Sequence, residues 1–106
     1  MDYKFSHIGI PTTEEKKWDG YCASRNFHYT DFSKDEYKVE WVKFDENSDA
    51  HVMVKTFPHV SYFVDEIEDA IKGKELLGDI FSLAEGIRVV YVNQLGFPVE
   101  FLEISE

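Results

Sequence analysis

Two histidines and two glutamates stand where an internal repeat would put them. Phe5-Ser6-His7-Ile8 near the N-terminus is echoed by Phe57-Pro58-His59-Val60, with the second histidine 52 positions after the first. Val39-Glu40-Trp41-Val42 is echoed by Val99-Glu100-Phe101-Leu102, with the second glutamate 60 positions after the first. Each half of the chain therefore opens on a histidine-bearing segment and closes on a glutamate-bearing one. Two neutral imidazoles and two carboxylates form a mixed nitrogen and oxygen donor set whose negative charge a divalent ion cancels. Such a set suits a first-row metal (Zn, Ni, Mn or Fe) with positions left for water or substrate. A closed structural zinc site is excluded, because Cys22 is the single cysteine and thiolates are otherwise absent.

Other chemistry-bearing residues are weaker candidates. His28 and His51 have no counterpart in the other half. Ser6 and Ser61 lack a partner for a nucleophilic triad. Cys22 falls on an apolar stripe and is expected to be buried rather than reactive. Arg88, beside Val89-Val90-Tyr91-Val92, reads as a surface ion pair in preference to a cation holding a substrate anion. Phosphate-cradling loops are absent, since Gly73, Gly78, Gly86 and Gly96 are isolated turn residues.

The elements that must position the four residues follow from periodicity. Residues 3 to 10 alternate as a strand, with Tyr3, Phe5, His7 and Gly9 on one face. Pro11 ends it. Thr12 or Thr13 is placed to cap a helix carrying Trp18, Tyr21 and Cys22 on one stripe, with Glu14 and Glu15 in its first turn. Residues 26 to 32 and 37 to 44 read as strands, the second placing Glu40 on a face with Val42 and Phe44. A carboxylate between apolar neighbours requires a partner if that face is buried. The polar loop 45 to 49 is the joint between halves. In the second half, residues 54 to 64 contain a strand interrupted at Pro58. A short helix over 66 to 72 follows, then strands at 75 to 81, 87 to 92 and 99 to 104, the last two joined by a turn at 93 to 96. The second half thus reads strand, helix and three strands, and the first the same with one strand reduced or lost.

Bulk properties narrow the partners. At 106 residues the chain has the size of one domain, with module one at about 1–50 and module two at about 51–106. Eleven Lys and Arg against twenty-one Asp and Glu leave a net charge of −10. That field repels phosphate backbones and anionic lipid, so neither nucleic acid nor a membrane surface is expected as partner. No apolar run approaches the ~18 residues of a membrane span, and the N-terminus has no signal-peptide pattern. A lone cysteine suits a reducing compartment, which makes the cytoplasm the expected location.

Over nearly the whole chain the sequence resembles the vicinal oxygen chelate superfamily, which includes glyoxalase I, the bleomycin-resistance proteins and the extradiol dioxygenases. The resemblance rests on His7-Ile8-Gly9-Ile10, on Pro58-His59-Val60 and the run into Val64-Asp65-Glu66-Ile67, on the segment 87 to 92, and on Gly96-Phe97-Pro98-Val99-Glu100-Phe101-Leu102-Glu103. It implies an α+β fold of two βαβββ modules, the first shortened, curled around a central cleft. It also implies a metal held by His7, Glu40, His59 and Glu100, with Glu100 as general base for a lyase or isomerase that passes through an enolate. A homodimer is implied as well. The departure is the spacing from histidine to glutamate, 33 positions in the first half against 41 in the second. Features that would single out a glutathione adduct as substrate are missing. The alternative function is a non-catalytic protein that sequesters a small molecule in a pocket lined by Phe27, Tyr29, Trp41, Phe63 and Tyr91. A third is an interaction module pairing with its own copy.

Overall fold

The computed structural model describes residues 3–105. The chain runs through β1 (Lys4–Pro11), β2 (Gly20–Cys22), β3 (Phe27–Tyr29), a 3-10 turn at Phe32–Lys34, β4 (Val39–Phe44), α1 (Val52–Thr56), β5 (His59–Phe63), α2 (Ile67–Ala70), β6 (Phe81–Ala84), β7 (Ile87–Gln94) and β8 (Phe97–Ile104). All eight strands join one mixed sheet in the order β2-β3-β4-β1-β5-β8-β7-β6. β1 pairs parallel with β4, and β5 parallel with β8. The two histidine strands, β1 and β5, pair antiparallel at the centre. The sheet curls until its edges meet: Ser24 Oγ donates to the Ser82 carbonyl at 2.6 Å, and Phe27 and Phe81 pack edge to face. The result is a mixed sheet nearly closed into a barrel, with few helices, an α+β arrangement.

Each face of the sheet has its own core. The concave side buries Phe27, Val42, Val54, Leu77, Val89 and Tyr91, and the convex side buries Ile67, Ala70, Val90, Val92 and Phe101 beneath α2. β7 serves both, which is why residues 89–92 are apolar without alternation. Each fully buried valine, leucine, isoleucine or phenylalanine among them contributes about 1.5–3 kcal/mol relative to exposure. α2 is tied down through Glu103, whose carboxylate accepts from the Ile67 amide at 3.0 Å and from Arg88 at 2.8 and 2.9 Å. Arg88 also reaches Glu68 at 2.8 and 2.9 Å. The guanidinium is thus the ion pair expected of it. At the β7–β8 hairpin Leu95 and Gly96 both take positive φ, 53° and 92°, as a two-residue turn matched to strand twist requires.

Four local expectations are corrected. The helix after Pro11 does not form. Thr12 Oγ1 accepts from the Glu14 amide at 3.1 Å, but in an irregular loop, and Tyr21 and Cys22 lie on β2. A stripe of little over one turn cannot meet the cost of helix nucleation, and Gly20 is needed opposite Tyr29, whose ring leaves no room for a Cβ. The first half, expected to have one strand reduced or lost, holds four strands, β1 to β4, and, among the described residues, no α-helix before α1. The segment 54–64, expected to contain a strand, does so only from His59; its first residues belong to α1 (Val52–Thr56), begun by His51 Nδ1 accepting from the Met53 amide at 3.1 Å. Within 75–81 only Leu76 bridges to Val92 before β6 starts at Phe81. Among the described residues no helix is long and apolar enough to cross a membrane.

Candidate metal centre

His7, Glu40, His59 and Glu100 lie on the four central strands. Strand register sets them in two adjacent rows. In the first, Gly9 on β1 faces Glu40 on β4 and His59 on β5. In the second, Ser61 on β5 faces His7 on β1 and Glu100 on β8, and Glu100 in turn faces Tyr91 on β7. Directly opposed residues share a face of the sheet, so both rows look into the concave side. The small residues Gly9 and Ser61 sit between the larger ones. A Cβ at Gly9 would overlap the His59 ring, so glycine there is the condition for His59 to lie where it does.

A bulge sets His7. The β1–β5 register shifts between Phe5 and His7, and this puts the consecutive side chains of Ser6 and His7 both inward, 3% and 1% exposed. Strict alternation would have put Tyr3 and Phe5 on the face of His7. Instead they pack on the convex face against Tyr62. Ser6 Oγ lies 2.8 Å from His7 Nδ1. With Nδ1–H donating to that hydroxyl, Nε2 is the nitrogen presented to the carboxylates, an outer contact typical of metal-ligating histidines. Phe32 stacks on the other side of the imidazole at 4.1 Å.

The donor atoms converge. His7 Nε2 is 3.4 Å from Glu40 Oε1 and 3.2 Å from Glu100 Oε1, and His59 Nε2 is 3.6 Å from Glu100 Oε1. Ligand atoms of His7, Glu40 and His59 all lie within 4.8 Å of one another. Donors about 2.0–2.2 Å from a shared ion stand roughly 3–3.5 Å apart, so the three His–Glu separations fit, while Glu100 falls outside the three-residue group and touches it through the two imidazoles. The orientation fits as well. His7 Nε2, both ring nitrogens of His59, Glu100 Oε1 and Ser61 Oγ are buried without a hydrogen-bond partner among the described residues. Buried polar atoms are rarely left so. Close but unaligned donors are what side chains grouped around an ion look like.

Electrostatics agree with a site built for positive charge. Burial lowers the pKa of His7, but the carboxylates of Glu100 and Glu40 outweigh it and carry the imidazole up to about 9. Burial raises Glu100, but the imidazoles of His59 and His7 reverse this and hold it well below the usual carboxylate range. Glu40 stays raised, first by burial and then by the charge of Glu100. The two carboxylates thus favour positive charge at His7, in the place a cation would serve.

A cavity of about 120 Å³ lies on the far side of Tyr91; its wall combines Phe27, Phe44, Phe81 and Tyr91 with the charged Arg25 and Asp79, and none of the four residues of the centre lines it. Tyr91 is the shared wall, its ring edge-on to His59 at 5.1 Å. Of the aromatics expected to line a pocket, Phe27 and Tyr91 do so. Trp41 faces away from Glu40 along β4 and takes Lys16 over its ring at 4.6 Å. His28 and His51 stand outside the centre, His28 pairing with Asp45 at 3.6 Å and His51 capping α1. Cys22 is fully buried, as expected. Sequence reasoning weighed Ser6 and Ser61 only as nucleophiles, not as neighbours of the centre. The signal for them was adjacency to His7 and the period-two step from His59.

No family model matches the chain, and no curated protein matches it. Among solved structures it is similar to the crystal structure of hypothetical protein BH1468 from Bacillus halodurans C-125, at 21% sequence identity and a TM-score of 0.66, over 100% of this chain and 97% of that one. At that identity the likeness shows the fold alone.

Proposed function

We propose that the chain is a divalent-metal protein of the vicinal oxygen chelate type, acting as a lyase or isomerase on a small molecule. The observation that carries the reading is the approach of His7, Glu40, His59 and Glu100 from four adjacent strands, with His7 Nε2, both ring nitrogens of His59 and Glu100 Oε1 buried and unpartnered among the described residues. The strand order supports it too: first, fourth, third, second in each half, counted out from the central β1–β5 pair, as two βαβββ modules would give once the first lost its helix. His7, Glu40, His59 and Glu100 would hold the ion, and the chemistry it supplies is Lewis acidity toward substrate oxygens. Glu100 is assigned the proton transfer. It is the carboxylate that touches both imidazoles, and its cross-strand neighbour Tyr91 is the wall of the aromatic cavity.

A second reading, a non-catalytic protein that sequesters a small molecule, is favoured by one observation: the four residues are only 1–7% exposed. Metal content decides between them. Purified protein dialysed against Zn, Ni, Mn and Fe in turn is compared with a His59→Ala, Glu100→Ala double variant. About one ion per chain in the parent and none in the variant supports the first reading, and a turnover screen with small dicarbonyl, thiol-adduct and catechol substrates follows. A parent that retains no ion refutes it, and ligand screens on the aromatic cavity take its place. Pairing with a second copy belongs to the first reading and is checked by light scattering.

A further inference from the structure

Ser61 is 0% exposed, and its Oγ has no hydrogen-bond partner among the described residues. It sits in register between His7 and Glu100, two of the four residues assigned to the ion, and two positions beyond His59, a third. Its counterpart in the other half is Gly9, which His59 requires to be small. His7 faces no such demand from position 61, since the chain places a hydroxyl there. A buried hydroxyl left unpaired is a cost that alanine would avoid, and the register neighbours of Ser61, His7 and Glu100, each carry an unpaired buried atom of their own among the described residues. We infer that Ser61 is a positioning residue of the centre, its hydroxyl reserved for the oxygen-bearing ligand, water or substrate, that shares the ion with the four side chains. The inference rests on the metal reading above and goes beyond it by assigning a residue outside the ligand set.

The opposite signs expected in the metal-free and metal-loaded protein make the test specific. Ser61→Ala removes an orphan from the metal-free protein, whose unfolding temperature is expected to equal or exceed that of the parent. The same variant is expected to bind Zn(II) or Co(II) about 10-fold more weakly in chelator competition, as loss of an outer hydrogen bond at a metal site does. The visible absorption of its Co(II) form is expected to shift as the inner ligand loses its anchor. Ser61→Gly removes the same hydroxyl and serves if the alanine variant does not fold. Equal metal affinity and an unchanged Co(II) spectrum in a parent that binds one ion would overturn the assignment of Ser61 alone. So would a lowered unfolding temperature in the metal-free variant with no change in affinity, which is the mark of a packing role. A parent that binds neither ion overturns the metal reading, and this inference with it.

Discussion

Gly9→Ala is the smallest change that should disable the centre. Gly9 needs no positive φ, so alanine is conformationally acceptable and any effect is steric. The new Cβ would lie 2.9 Å from His59 Nδ1 and nearer still to Cε1 and Nε2. Ordinary carbon contacts are about 3.5–4.0 Å, so the ring must retreat by on the order of 1 Å. Its retreat is blocked by Tyr91, edge-on at 5.1 Å, and by His7 at 5.8 Å. Overpacking of this kind costs about 1–3 kcal/mol, and removing a glycine from a strand recovers about 0.5–1 kcal/mol. The net is about 0–2.5 kcal/mol, and the mid-range of about 1 kcal/mol is a fall of roughly 4–8 °C in the unfolding temperature of a domain this size. Displacing Nε2 by that much should weaken metal binding at least ~100-fold, the upper end of what loss of an outer positioning contact does. Thermal unfolding of the metal-free protein measures the first effect and chelator competition the second. A double-mutant cycle isolates the cause: in a His59→Ala background the alanine at position 9 should cost nothing. If it costs the same in both backgrounds, the clash is not with His59 and the account of Gly9 is wrong.

Other expectations are independent of that contact. His7 is carried from 6.5 up to about 9 in the metal-free protein, so the stability contributed by its proton is complete below pH 6.5 and is lost as pH rises through about 9. Metal must displace the same proton, so affinity should rise roughly tenfold per pH unit towards 9 and then level off; an affinity independent of pH between 6.5 and 9 would refute this. Glu103→Ala leaves the Ile67 amide and one side of Arg88 unpartnered and should cost about 2–4 kcal/mol in urea unfolding. Glu68→Ala, removing an exposed partner of the same arginine, should leave the midpoint unchanged at physiological salt. Leu95 is 97% exposed with φ at 53°, so Leu95→Asn should raise stability by about 0.5–1 kcal/mol by suiting the turn.

The four residues of the centre were legible because repetition is a property of sequence: a histidine and a glutamate in matching places of two halves need no structure to be seen. Their facing was not, because it depends on cross-strand register. The bulge at Ser6 is the clearest case. Alternation puts Phe5 and His7 on one face, whereas one extra residue in β1 sends Phe5 out to Tyr62 and brings Ser6 in beside His7. The segment before Gly20 failed differently. Threonine followed by glutamates carries the capping chemistry of a helix, but the same hydroxyl closes a turn equally well, and only the strand pairing of Gly20 with Tyr29 decides between them. At 52–56 the β-branched residues favour strand locally, but Val54 is taken into the concave core as part of a helical turn.

The pair Gly9 and Ser61 shows where the repeat departs from symmetry. The two positions occupy matching places between a histidine of their own strand and the side chains of the next. Symmetry alone would make them the same residue. Glycine is explained by sterics, because the His59 ring fills its Cβ position. Serine is not explained by packing, because its hydroxyl bonds to nothing among the described residues. In the proposed metal-bound protein, a site that is steric on one side and polar on the other would distinguish two approaches to the ion. An oxygen ligand would then enter on the side of Ser61, His7 and Glu100, the row that ends at Tyr91 and the aromatic cavity, while the row of Glu40, Gly9 and His59 stays closed.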